Sequence, residues 1–116
     1  MVSLETPICE FGKAAIDFSL PGIDNRVWTL QDCRGPHGLL VMFICNHCPY
    51  VKAILERLVR DTGELRESGI NSVAIMSNDP TLYKEDSFEN MQAVARQYDF
   101  PFPSLRDHTQ AVAKAY

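Results

Sequence analysis

Residues 39–51 read Leu-Leu-Val-Met-Phe-Ile-Cys-Asn-His-Cys-Pro-Tyr-Val, and the change of pattern inside this stretch decides the fold. Leu39 to Cys45 is a continuous apolar run. A strand buried on both faces, as at the centre of a parallel sheet, has this composition. From Pro49 the period becomes helical. Val51, Ile54, Leu55, Leu58 and Leu65 fall on one face, with Lys52, Glu56, Arg57 and Arg60 opposite. Pro49 suits a first helical turn, where its missing N–H costs nothing. Gly69 is a natural stop. Ile70 to Met76 reads as the next buried strand. Strand, helix, strand in this order predicts a parallel βαβ unit with a right-handed crossover.

Upstream, residues 14–20 alternate apolar and polar and stop at Pro21-Gly22. Asp24-Asn25 is a turn signal before Arg26-Val27-Trp28-Thr29-Leu30. This predicts a β-hairpin of two short strands, with Phe18 and Trp28 in its core. Residues 35–38, Gly-Pro-His-Gly, read as a loop. Downstream, a second amphipathic helix carries Phe88, Met91, Val94, Ala95 and Tyr98 on one face, and Asp86 and Glu89 have capping-box spacing at its start. Residues 101–105 form a short extended piece. Asp107 is placed to cap a last helix containing Ala111, Val112 and Ala115.

The chemistry concentrates at Cys45-Asn46-His47-Cys48. The pair follows a buried parallel strand, where α/β folds place their sites. It also precedes a helix, whose unpaired N–H groups and dipole stabilise a thiolate. One-turn spacing lets two cysteines form a disulfide. An ordinary cysteine has a pKa of about 8.5, so only a few per cent is ionised at neutral pH. The helix end raises that fraction, and a protonated His47 raises it further. A stabilised thiolate favours the reduced form, so the disulfide is the stronger oxidant. The expected division of labour has Cys45 attack a substrate disulfide and Cys48 resolve the mixed disulfide, with Asn46, His47 and Pro49 in support.

Composition narrows the partners. The chain has 116 residues, 46% hydrophobic and 22% charged, enough for one domain spanning 1–116. A formal charge of −4 offers no basic footprint for nucleic acid. No apolar run approaches the roughly 18 residues that span a bilayer, so no membrane partner is expected. Residues 1–7 lack the basic and apolar regions of a signal peptide, which makes a cytoplasmic location the expectation. In a reducing compartment, cysteines are more often free, catalytic or metal-binding than structural.

With these residues in view, the chain resembles the redoxin and alkyl-hydroperoxide-reductase/thiol-specific-antioxidant branch of the thioredoxin superfamily, and in particular its peroxiredoxin-like group. The likeness rests on Phe18-Ser19-Leu20-Pro21-Gly22, on residues 43–51, on Phe102-Pro103-Ser104-Leu105-Arg106-Asp107 and on residues 111–116. It implies a thioredoxin-like α/β fold: an N-terminal hairpin, then the central βαβ unit. It further implies that the fold continues past the position of Tyr116 through a strand preceded by a cis-proline, another strand and a closing helix. A domain ending at Tyr116 is then expected to be truncated, with an exposed sheet edge and a tendency to form homo-oligomers.

The resemblance also separates two activities. Peroxiredoxins carry Pro-x-x-x-Thr-x-x-Cys. Aligned on Cys48-Pro49, the threonine position holds Cys45 and the proline position Val41, so the hydroxyl that orients a peroxide is missing. The first expectation is therefore a thiol–disulfide oxidoreductase acting on protein or low-molecular-weight disulfides, recycled by a thiol reductant. The second is an antioxidant thiol peroxidase reducing hydroperoxides through Cys48, with Cys45 resolving its sulfenic acid. The third, from another class, is a binding module with a vestigial Cys-x-x-Cys. Neither enzymatic reading calls for a cofactor. Metal binding by Cys45, His47 and Cys48 is disfavoured, because adjacent His47 and Cys48 do not easily face one ion and no second pair completes four ligands. Cys9 and Cys33 read as small apolar or partly exposed residues rather than resolving thiols, and His37 and His108 as solvated ones. Asn78-Asp79 follows a strand end and Lys52 follows Cys48 by one turn; both have ordinary structural readings as a helix start and a solvated face.

Overall fold

The computed structural model describes residues 11–44, 49–77, 87–107 and 109–116. Strand β1 (Ser19–Pro21) pairs antiparallel with β2 (Val27–Thr29), with Leu20 opposite Trp28. The turn is the one the sequence predicts. Asn25 adopts a left-handed conformation, φ 65°, and the Asp24 carboxylate accepts from the Arg26 N–H and the Trp28 indole, each at 3.1 Å. The first strand is shorter than expected and lies later, because most of residues 14–20 precede the pairing.

The second strand also stops early. Leu30 opens a one-turn helix, α1 (Leu30–Cys33), rather than continuing the strand. Thr29 caps it. Its hydroxyl accepts from the Asp32 N–H, and the Asp32 carboxylate accepts from the Thr29 N–H. This reciprocal box satisfies two otherwise orphaned donors.

Strand β3 (Gly38–Phe43) runs parallel to β4 (Ile70–Met76), with Val41 opposite Val73. Helix α2 (Pro49–Glu67) connects them. Strand β5 (Ser104–Arg106) lies parallel on the other side of β4, giving the order β3-β4-β5. The hairpin joins this sheet through a bridge between Gly22 and Leu105 and through the Ile23 N–H donating to the Ser104 carbonyl at 3.0 Å. Helices α3 (Phe88–Tyr98) and α4 (Ala111–Ala115) complete the described elements.

The parallel βαβ unit is as expected, but β3 is not its central strand. Among the described residues β3 pairs only with β4, and it leaves Leu40 38% and Phe43 43% exposed. The strand with neighbours on both sides is β4, buried from Ser72 to Met76. Its side chains alternate between two clusters. Val73 and Ile75 join Phe18, Leu20, Cys33 and Leu105 on the hairpin side. Ala74 joins Met42 and Phe102 on the side that Leu58 of α2 covers. Burying a side chain such as Ile75 fully contributes roughly 1.5–3 kcal/mol, so β4 is the mechanical centre of the sheet.

Helix α2 begins at Pro49, as expected. Its buried stripe runs through Leu55 and Thr62, while Ile54, assigned to the apolar face, is exposed. Thr62 tolerates burial because its hydroxyl donates to the Leu58 carbonyl at 2.7 Å. Gly69, just past the helix, has φ +83°, which suits glycine alone without strain. Helix α3 is capped by Ser87, whose hydroxyl accepts from the Asn90 N–H at 3.2 Å. Ser87 thus takes the place proposed for Asp86, which lies outside the described residues. A serine one position later offers the same acceptor with better register.

Candidate active site

The parallel pairing of β3 does not stop at Phe43. The Ile44 N–H donates to the Ile75 carbonyl at 3.1 Å, so the ladder holds the chain up to the residue before Cys45. After four intervening residues Pro49 opens α2. Cys45, Asn46, His47 and Cys48 themselves lie outside the described residues, and so do Cys9, Asn78, Asp79 and His108. The fixed ends on either side define the setting: the C-terminal end of a parallel strand and the N-terminal end of a 19-residue helix. The first turn of α2 contains no acidic residue. No carboxylate there opposes the positive end of the helix dipole, which favours an anion by roughly 0.3–1 kcal/mol.

The same end of the sheet is tied together by Asp107, which is 2% exposed. Its N–H donates to the Met76 carbonyl at 2.9 Å. Its carboxylate accepts from the Ser77 hydroxyl at 2.9 Å, from the Val112 N–H at 3.3 Å and from the Ala113 N–H at 2.9 Å. One side chain therefore joins the ends of β4 and β5 to the start of α4. The sequence pointed to the capping role of Asp107. It did not point to Ser77, which has no local relation to residue 107. Helix α4 in turn places Tyr116 against Phe43, ring centres 5.8 Å apart.

Between the end of β3, the start of α2 and the end of α3 lies an apolar cavity of about 180 Å3. Ile44 forms one wall, Val51 and Leu55 of α2 a second, and Val94 and Tyr98 of α3, with Phe100 beyond it, a third. Lys52 and Gln97 supply the polar part of its lining. Lys52 is therefore part of this wall rather than only a solvated face. The cavity was not legible in the sequence, because its walls lie some forty residues apart along the chain.

The remaining thiol is different. Cys33 is 3% exposed in the hairpin-side cluster. Burial, with a smaller contribution from the Asp32 carboxylate, pushes its pKa from 9.0 up to about 11. Such a thiol is protonated at neutral pH and unreactive; of the two readings left open by the sequence, small apolar or partly exposed, the first holds. His37 is exposed and its ring lies against Gly69, far along the strand from Ile44.

Comparison with known proteins places this arrangement. A curated relative, thiol-disulfide oxidoreductase ResA of Halalkalibacterium halodurans, is 25% identical over 105 residues, covering 90% of this chain and 55% of its own. The crystal structure of an uncharacterized conserved protein from Geobacillus kaustophilus superposes with a TM-score of 0.90 at 44% identity, over 97% of this chain and 63% of that one. The solution structure of a putative thioredoxin from Neisseria meningitidis superposes with a TM-score of 0.69 at 20% identity, over 88% of this chain and 63% of that one. The chain thus spans between about half and two thirds of the length of these relatives. The Neisseria likeness supports a thioredoxin-like α/β fold, as the resemblance implied. Residues 11–116 match the model of the AhpC/TSA family, and with nearly the whole chain inside that match, this protein belongs to the AhpC/TSA family.

Proposed function

We propose that this chain is the redox domain of a thiol–disulfide oxidoreductase in which Cys45 and Cys48 cycle between dithiol and disulfide. The observation that carries the reading is the position of the Cys-x-x-Cys between two fixed ends. Ile44 is still bonded into the parallel ladder, and Pro49 already begins a long helix whose first turn lacks acidic residues. A thiolate in that interval gains from the helix end. The ResA relative, a thiol-disulfide oxidoreductase by name, supports the same chemistry.

In the forward direction the Cys45 thiolate attacks a substrate disulfide. A new S–S bond forms to Cys45, the substrate S–S bond breaks, and one substrate sulfur leaves as thiolate. Cys48, after losing its proton, attacks the Cys45 sulfur and releases the second substrate thiolate. The substrate gains two electrons and the protein becomes the Cys45–Cys48 disulfide. A thiol reductant returns it to the dithiol by the reverse exchange. Substrates are protein or low-molecular-weight disulfides. The test is trapping. Cys48→Ser should accumulate a mixed disulfide at Cys45 that releases on adding dithiothreitol, and Cys45→Ser should not. Equal trapping by both variants, or by neither, would contradict these roles.

Family membership supports a second reading, reduction of hydroperoxides. The Cys48 thiolate would attack the peroxide oxygen, releasing an alcohol or water. The resulting sulfenic acid would condense with the Cys45 thiol, giving the disulfide and water. Cys45 at the position of the orienting threonine counts against it. A second-order rate with peroxide no greater than that of free cysteine would dispose of this reading.

A further inference from the structure

Where β4 begins, at the end of the sheet away from Ile44, lies another cavity, of about 330 Å3. That volume falls within the roughly 300–1,000 Å3 of pockets that hold small ligands. Ser72, the third residue of β4, lines it with its neighbour Asn71 and with Arg66 in the last turn of α2. Ser72 is 4% exposed, and its hydroxyl has no hydrogen-bond partner among the described residues. A buried hydroxyl left without a partner is costly, and native folds keep few of them. The hydroxyl is aimed at the cavity. Residues two apart on a strand share a face, and Ala74 packs against Phe102, which forms part of the wall. An arginine in the last turn of a helix also complements the helix dipole, but that role leaves the Ser72 hydroxyl unexplained.

The remaining walls are largely aromatic and held in place. The Trp28 indole N–H donates to the Asp24 carboxylate at 3.1 Å, and the Arg26 guanidinium lies 4.9 Å from the centre of its ring. Phe102, 6% exposed, stacks on Phe100 with ring centres 4.6 Å apart. The polar side offers a hydroxyl donor, a carboxamide donor and the planar fork of a guanidinium, a set that matches a carboxylate. Asp32 also lines the cavity and is exposed. Its carboxylate repels a second negative charge, which favours a monoanion over phosphate. We propose that the cavity lined by Arg66, Asn71, Ser72, Trp28 and Phe102 binds a small aromatic monocarboxylate, with the carboxylate on Arg66 and the Ser72 hydroxyl and the ring between the aromatic walls. The site stands apart from the thiol chemistry and does not depend on it.

Trp28 is the only tryptophan of the chain, so its fluorescence reports on this cavity in the full protein. The probe is 3-phenylpropionate at neutral pH. The comparisons are 3-phenylpropanamide, which keeps the ring and loses the charge, acetate, which keeps the charge and loses the ring, and inorganic phosphate. The expected result is a saturable change with 3-phenylpropionate, at a Kd about tenfold or more below that of each comparison. Arg66→Gln and Ser72→Ala should each raise that Kd about tenfold, the loss of one bond to a charged group. Ser72→Ala should also leave resistance to urea unchanged or slightly higher, because its hydroxyl has no partner to lose. No saturable change at millimolar 3-phenylpropionate overturns the proposal. So does an amide that binds as well as the acid, or acetate or phosphate that binds as tightly. An affinity that survives both substitutions overturns it as well. A Ser72→Ala protein that keeps its affinity and loses stability assigns the hydroxyl to the fold instead.

Discussion

Replacing Asp107 by alanine removes one carboxylate and strands three donors: the Ser77 hydroxyl and the N–H groups of Val112 and Ala113. Hydrogen bonds to a charged acceptor contribute roughly 1.5–3 kcal/mol each, and loss of a helix cap costs about 0.5–2 kcal/mol. The three bonds share one carboxylate and the Val112 contact is long at 3.3 Å, so they do not add fully. A loss of about 3 kcal/mol follows. For 116 residues at about 2.1 cal/mol/K per residue, the unfolding entropy is about 0.24 kcal/mol/K, so Tm should fall by about 12 °C. Asp107→Asn keeps one acceptor oxygen and should lose about half as much. Urea unfolding followed by circular dichroism measures both, and a cycle with Ser77→Ala isolates the link between β4 and β5, expected at about 1 kcal/mol. A loss below about 1 kcal/mol in Asp107→Ala would refute the claim that this residue ties the site end of the sheet together.

Three further outcomes are expected. The folded state keeps the Cys33 thiol protonated up to about pH 11. The unfolded chain ionises it near the ordinary 9.0, so this contribution is intact below pH 9 and is lost as pH rises from 9 through 11. The difference between 9.0 and about 11 corresponds to about 2–3 kcal/mol, and urea titrations at pH 8 and pH 10.5 should show a steeper loss in the native protein than in Cys33→Ala. Gly69→Ala forces a side chain into a φ of +83° and against the His37 ring, with Pro36 Cγ at 3.2 Å; a loss of about 1–3 kcal/mol is expected from the left-handed conformation and the crowding, and a neutral result would show that the turn after α2 rearranges freely. His47→Ala should lower the midpoint potential of the dithiol by about 30 mV, the equivalent of 1.4 kcal/mol; equilibration with glutathione reads the shift, and an unchanged midpoint would remove the supporting role expected of His47.

The unit that carries the site was legible because its signals are local. The apolar run from Leu39, Pro49 and Gly69 each act through their own backbone or their immediate neighbours. What failed needed long-range information. The composition of β3 matches that of a buried central strand, but which strand lies in the middle is set by β5, some sixty residues further on, pairing with β4. Thr62 is polar by type, and its burial is explained by the Leu58 and Val59 carbonyls, which accept from its hydroxyl. The capping box of Thr29 and Asp32 was present in the sequence, but the β-prone residues before it extended the strand reading one position too far. At the site, the flanks of the Cys-x-x-Cys were legible, while Ser77 and the apolar cavity depend on contacts between β4, β5, α2 and α3.

The most direct test of the central claim is a redox titration of the full chain in glutathione buffers, with alkylation and peptide mapping at each potential. The account predicts one reversible two-electron transition in which Cys45 and Cys48 lose their reactivity together, forming a disulfide with each other, while Cys33 stays a protonated thiol throughout. If Cys45 and Cys48 remain reduced across the series, or pair with glutathione and never with each other, the dithiol cycle proposed for this protein is wrong.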